Sequence, residues 1–296
     1  LKEFLYLFVS FLILITCSPR QSIEQDPYYP ILQDDKYGYI DKTNSIVIEP
    51  QFDDARTFSE GRAPVKIEDK WGSIDRAGNM VIELLFDKPF WFSKGIALAK
   101  IGGEEGKWGI IDTTGRYIVN PKYNAVGMFS EDLAAVKLGE GLSSWGYINR
   151  KGKIVINHQY DAAAEFSGGL APVRIGAKCG YINKKDRMVI TPMFERAFWF
   201  SDSLAAVRIN DKWGYINRKG KIVIKPQFDG AEDFVEGLAA VKIGEEWGYI
   251  NKNGKFVINP QFELANDFYQ GRARVWIDGK IGYIDKTGNY LWEPGS

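Results

Sequence analysis

The residues that could do chemistry are few. The chain has one histidine and two cysteines in 296 residues. His158 stands where the equivalent segments carry Pro121, Pro192, Pro226 and Pro260, so it reads as a variant of a structural position rather than a general base. Cys179 sits beside Lys178, but alternation along a strand points the two side chains to opposite faces, which leaves the thiol without the cation that would activate it. A ladder of polar residues, Asp41, Asp75, Asp112, Asn149, Asn183, Asn217, Asn251 and Asp285, has the regularity of a calcium array. Half of its members are Asn, however, and hard cations favour carboxylates. Free exchange of Asp for Asn suits a side chain that accepts hydrogen bonds in a turn. The sequence holds no zinc spacing, phosphate loop or nucleophile elbow. No catalytic residue, metal ligand or cofactor is expected, and the chain reads as non-enzymatic.

The elements that carry these residues come from one repeated stretch. Its clearest copy is Lys212 to Asp229, KWGYINRKGKIVIKPQFD. Versions begin at Tyr37-Gly38, Trp71-Gly72, Trp108-Gly109, Trp145-Gly146, Cys179-Gly180, Trp213-Gly214, Trp247-Gly248 and Ile281-Gly282, spaced by 34, 37, 37, 34, 34, 34 and 34 residues. Recurrence at a fixed period in this range marks a repeat architecture. Within one copy, Leu238–Ile243, Trp247–Asn251 and Phe256–Ile258 alternate as strands, separated by turns at Gly244-Glu245-Glu246 and Asn251–Gly254. Proline at 260 is expected to end the third strand, because it has no N–H for the ladder. The Asp/Asn that opens the second turn and the Gly, Asn44 or Asp186 that closes it predict a type I turn followed by a left-handed residue. The glycine after the tryptophan is kept in all eight copies, while the Trp position admits Tyr37, Cys179 and Ile281. A glycine inside a strand marks close approach by another group, here expected to be an aromatic from a neighbouring strand or repeat.

These residues resemble the bacterial WG-repeat family, also called KWG repeats. The resemblance runs over about residues 36–292, with departures at Cys179 and Ile281 in the Trp position and at Leu84 and His158 in the Pro position. Membership would imply a β-rich binding or scaffold protein and no defined ligand. The expected fold is all-β: tandem 34–37-residue repeats, each a three-stranded antiparallel meander, about seven such units and a terminal hairpin in one curved array. A propeller-like ring and an open β-solenoid both fit, and a short fourth strand in the connection would favour the ring.

The remaining segments set the context. Residues 1–17 read as a lipoprotein-type signal peptide. Phe4 to Ile15 is a 12-residue apolar run, too short to span a bilayer as a helix but suited to a signal-peptide core. Leu14-Ile15-Thr16-Cys17 is similar to a bacterial lipoprotein processing site, with Cys17 as the lipidated residue and Thr16 where Gly or Ala is usual. Residues 18–35 carry three prolines and read as a flexible tether, and 36–296 as the repeat domain. Thirty-eight basic residues balance thirty-eight acidic ones, so no nucleic-acid partner is expected. The expected setting is the cell envelope, at the outer membrane or cell surface, with membrane contact through the N-terminal lipid.

The candidate binding residues lie in the connections. Each connection ends in a phenylalanine: Phe58, Phe92, Phe129, Phe166, Phe200, Phe234 or Phe268. The residue before it is Thr57, Trp91, Met128, Glu165, Trp199, Asp233 or Asp267, and a position that accepts Glu and Asp is expected to face solvent. Two copies read Phe-Trp-Phe, which singles out Phe90, Trp91, Phe198 and Trp199 as aromatic platforms for a protein or glycan. The alternative is that these loops pack on a neighbouring repeat or on the tether. At the level of function, the reading is a lipid-anchored, non-catalytic binding module. The alternative is an envelope scaffold that self-associates through its repeat ends.

Overall fold

The computed structural model describes residues 28–295. Leader residues 1–17, with Cys17, lie outside that range. The chain divides into two compact units, Leu1–Pro121 and Lys122–Ser296. Among the described residues every regular element is a strand.

Each repeat is an antiparallel meander, and most are wider than the three strands expected. In the unit Lys122–Ser296 one repeat runs from a short strand, Gly230–Ala231, through Leu238–Ile243 and the Trp-Gly strand Glu246–Asn251, to a last strand Phe256–Phe262, paired in that order. The extra two-residue strand comes from the connection. Four further four-stranded sheets in this unit follow the same plan. They include the last one, Leu264–Ala265 to Tyr290–Trp292, where only a hairpin was expected.

The unit Leu1–Pro121 holds one four-stranded sheet, from Asp54–Ala55 to Met80–Phe86, and two three-stranded ones. The first opens with Tyr29–Gln33 paired to Lys36–Ile40, so the β framework starts before residue 35, inside the stretch read as a tether. In the other, Lys88-Pro89 stands where Asp54-Ala55 forms the short strand. Proline offers no N–H to a ladder, and no strand is added there, although the Asp87 N–H bond to Lys100 C=O (2.9 Å) is kept.

The second turn forms as its residue types require. Gly220 takes φ +77°, its N–H bonds Asn217 C=O at 2.9 Å, and Asn217 N–H bonds Lys221 C=O at 3.0 Å. The Asn217 side chain accepts the N–H groups of Lys219 and Lys221 at 3.0 and 3.1 Å. Asn44 and Asp186, which replace the closing glycine, also stand at positive φ, 63° and 60°. The ladder of Asp and Asn is therefore a set of turn acceptors, as their exchange implied.

Two expectations about the last strand change. Proline does not end it: Phe256–Phe262 continues through Pro260, as Ile222–Phe228 does through Pro226. The register instead shifts, with Trp213 opposite Phe228 but Tyr215 opposite Ile224, so the last strand bulges over the Trp-Gly pair. The bulge also explains the glycine. A Cβ at Gly214 would lie 2.6 Å from Ile224 O and 2.6 Å from Pro226 N. The group that crowds the glycine is the bulged backbone, not an aromatic ring. Gly72, whose repeat has Leu84 in place of proline, is crowded the same way, with Ile82 O at 2.5 Å.

Neighbouring repeats are pinned together by side chains that bond backbone. Tyr39, Tyr147, Tyr181, Tyr215 and Tyr249 are fully buried. Their hydroxyls donate to the C=O groups of Arg56, Ala164, Phe198, Glu232 and Asn266, each in the next connection, at 2.7–2.8 Å. Ser59, Ser130, Ser167 and Ser201 donate to the C=O of Phe92, Phe166, Phe200 and Phe234 one repeat on. Where an acid stands two residues after the phenylalanine, as at Glu60 and Glu236, it reaches across as well. Glu60 accepts from Lys94 N–H and Gly95 N–H at 2.6 and 2.8 Å, and Glu236 from Gln270 N–H and Gly271 N–H at 2.7 and 3.0 Å. Lys286 then meets Glu236 at 2.9 Å, tying a further repeat to the same carboxylate.

Candidate functional site

The connection that carries Trp91 has no short strand, but Asp87 N–H bonds Lys100 C=O at 2.9 Å near its start and Phe92 C=O accepts from Ser59 Oγ at 2.8 Å at its end, so its middle residue is held rather than loose. In the unit Leu1–Pro121 this presents Trp91, 44% exposed, between Phe90 and Phe92, which are 2% and 3% exposed. The two phenylalanines anchor the loop and hold the indole outward.

Phe90 has a second role that the sequence pattern hid. Its repeat lacks the buried tyrosine and carries Ser73 instead. Phe90 packs on Phe86 at 5.1 Å and on Phe92 at 5.9 Å. These are the counterparts of Phe194 and Phe200, the rings that Tyr181 touches at 6.4 and 5.0 Å. The Phe90 ring thus replaces the missing tyrosine ring. Ser73 is left fully buried, its Oγ sealed and without a hydrogen-bond partner among the described residues.

The second Phe-Trp-Phe loop, in the unit Lys122–Ser296, is built differently. Tyr181 is present there, so Phe198 is not needed in that space and packs on Trp213, ring centres 4.9 Å apart. Trp199 is half-buried, and its indole N–H donates to the Asp233 carboxylate one repeat on. The two loops are alike in sequence and unlike in packing, because one repeat has its tyrosine and the other does not.

The expectation that the acidic members of this position face solvent does not hold. Glu165, Asp233 and Asp267 are half-buried. Burial pushes the Glu165 carboxyl up, against the pull of the Met128 N–H it accepts at 3.3 Å. Burial also raises Asp267, to about 6, and Glu232, to about 7, the latter helped by the charge of Asp267. Asp233 is driven well above the carboxylate range by burial, then by Asp267 and Glu232. Sequence reasoning missed these carboxylates because a charged residue in a connection looks solvated. The available signal was position: each sits within two residues of an anchoring phenylalanine.

Trp213 is 8% exposed, a core residue as its pairing with glycine implied. Cys179 is half-buried, with Sγ 3.9 Å from Glu195 C=O and its thiol pushed up by burial. Such a thiol stays protonated and unreactive. His158 stacks on Tyr123 at 6.3 Å, and burial, then the charge of Lys122, lowers its pKa, keeping it neutral. Among the described residues no three or more His, Cys, Asp or Glu side chains are grouped so as to hold a metal ion.

No curated protein is matched by this sequence. Two solved structures share the fold over most of both chains. One is described as a eukaryotic initiation factor, at 10% identity and TM-score 0.59, covering 90% of this chain and 83% of that one. The other is the dihydro-heme d1 dehydrogenase NirN in complex with DHE, at 12% identity and TM-score 0.50, covering 95% and 77%. At such identities the likeness is one of fold alone. The family model of the WG containing repeat matches residues 37–71, 71–104, 108–141, 145–179, 180–213, 213–247 and 247–280. Those segments carry the Trp-Gly strand or its variant, the bulge above its glycine and, in five of the seven, the tyrosine that reaches the next repeat, and the chain belongs to the WG-repeat family.

Proposed function

We propose that this chain is a non-catalytic binding module, displayed at a bacterial cell envelope through lipid on Cys17, whose ligand is a protein or a glycan. The observation that carries the reading is Trp91: an indole 44% exposed on a loop whose flanking phenylalanines are buried. A rigid aromatic face offers large contact area at low entropic cost and stacks on sugar rings or apolar side chains. Trp199 offers a smaller face, since its ring is half-buried and its N–H is engaged by Asp233, and Phe90 and Phe198 support the two loops from beneath.

The test is a binding screen of the full chain against envelope glycans and host proteins, repeated with Trp91→Ala. The substitution should weaken any captured ligand by more than about 1 kcal/mol, roughly fivefold. It should also lower the melting temperature far less than Trp213→Ala, which empties a core position at about 3–5 kcal/mol. Unchanged affinity in Trp91→Ala rejects the site. Cys17→Ala tests the anchor separately, through release of the protein from membranes.

A second reading, a scaffold that self-associates through its repeat ends, draws on the last sheet. There Ile281, Tyr290, Leu291 and Trp292 are 37%, 37%, 56% and 48% exposed. Sedimentation of Leu291→Asp against the parent chain separates the two, because only the scaffold reading predicts assembly that this change abolishes.

A further inference from the structure

Three carboxylates in the unit Lys122–Ser296 have surroundings unlike those of the others. Asp53, Asp87 and Asp229 each meet a lysine, Lys36, Lys70 and Lys212, at 2.5–2.6 Å. Glu232, Asp233 and Asp267 instead come from two consecutive connections; after burial, the charge acting on Glu232 is that of Asp267, those acting on Asp233 are those of Asp267 and Glu232, and Asp267 itself is raised by burial. Asp233 Oδ1 and Asp267 Oδ1 are sealed from solvent and have no hydrogen-bond partner among the described residues. The groups facing the cluster are the phenols of Tyr181, Tyr215 and Tyr249 and the Trp199 indole. The phenols give their protons to backbone C=O groups, and the indole satisfies only one oxygen of Asp233. A sealed, unpartnered carboxylate oxygen near other carboxylates is costly when ionised, and the cost falls when it takes up a proton.

We propose that Glu232, Asp233 and Asp267 form a proton-holding cluster that tightens the packing of consecutive repeats at mildly acidic pH and loosens it as the pH rises through neutrality. The sign follows from linkage. A carboxyl that holds its proton more firmly folded than unfolded favours the folded state fully below its unfolded pKa, and that advantage is lost as pH climbs through its folded pKa. For this cluster the window runs from about pH 4, the ordinary carboxylate value, to about 7, the value for Glu232. Carboxylates held low by a threonine hydroxyl and then turn amides, such as Asp41 and Asp285, or by a lysine, as Asp229, act oppositely and below that window.

The experiment is carboxyl-carbon NMR of the full chain, labelled at Asp and Glu, across about pH 3 to 9. Resonances that vanish individually in Glu232→Gln, Asp233→Asn and Asp267→Asn should titrate with midpoints above about 5. Titration of every carboxyl below about 4.5 overturns the proposal. Thermal melts supply a second readout. Asp233→Asn combined with Asp267→Asn keeps the neutral shape, so it should raise the melting temperature at about pH 8 and flatten its decline from about pH 5 to 8. Melting curves that shift with pH in parallel with the parent's also overturn it. Should the double variant fail to fold, the titration of the parent chain decides.

Discussion

The exchange between Ser73 and Phe90 can be tested as a swap. Phe90 is 2% exposed and fills the space that a tyrosine ring occupies in the repeats built around Tyr181 and Tyr249. Phe90→Ala leaves a ring-sized cavity and should cost about 3–5 kcal/mol. Ser73→Tyr alone forces a second ring into the filled space and should cost about 1–3 kcal/mol. Together they recreate the arrangement of the other repeats, with the new hydroxyl placed to donate to the residue 90 C=O as Tyr215 donates to Glu232 C=O at 2.8 Å. If the sites were independent the double variant would lose about 4–8 kcal/mol, the sum of the two. Sharing one volume, it should lose less than Phe90→Ala alone, so the coupling exceeds the Ser73→Tyr cost and is at least about 1 kcal/mol. Urea unfolding of the four proteins, followed by circular dichroism, closes the cycle. At about 2–4 °C per kcal/mol for a chain segment of this size, Phe90→Ala should melt at least about 6 °C lower, with part of that recovered in the double variant. Losses that simply add would mean that Phe90 does not stand in for the tyrosine, and the account of this loop would fail.

Three further outcomes are expected. Gly214→Ala places a Cβ 2.6 Å from two backbone atoms of the bulge, so it should cost about 3 kcal/mol or more in denaturant unfolding. A midpoint within error of the parent's would refute the steric explanation of the invariant glycine. Tyr215→Phe leaves Glu232 C=O without its donor and should cost about 1–3 kcal/mol, whereas an unaffected melting temperature would show the hydroxyl bond to be dispensable. Glu236→Gln weakens an exposed clamp and should change global stability little, yet hydrogen exchange at the Gln270 and Gly271 amides should accelerate. Unaltered exchange at those two amides counts against the clamp.

The sequence carried the parts of the fold that are written in local chemistry. Asn217 and Gly220 specify a turn because one accepts backbone N–H groups and the other tolerates positive φ, and both facts belong to the residue types. Trp213 was legible as core for a similar reason, since a tryptophan beside an invariant glycine implies tight packing. The bulge was not legible, because the register shift at Pro226 arises from pairing between strands, and a proline in an edge strand reads equally as an ending. The short strand could be raised only as a possibility, because two residues carry no periodicity. The site divides along the same line. The exposure of Trp91 follows from its buried phenylalanine neighbours, but the different fates of Phe90 and Phe198 depend on whether residue 73 or 181 supplies a ring. That information lies 17 residues away in each case and becomes visible only when the repeats are stacked.

The tyrosine that joins one repeat to the next has a consequence for how such a chain can change. Its acceptor is a main-chain carbonyl, supplied in turn by Arg56, Ala164, Phe198, Glu232 and Asn266. Five unrelated side chains occupy the same position because none of them is what the hydroxyl recognises. A repeat of this kind can therefore follow almost any other, and copies can be duplicated, deleted or shuffled without redesigning the joint. Two repeats lack the tyrosine, with Ser73 and Ile110 in its place, and in the first of them the joint is completed by the side chain of Phe90. Ser73 and Phe90 form an inseparable pair, and a recombination event that parts them would leave a hole in one product and a clash in the other.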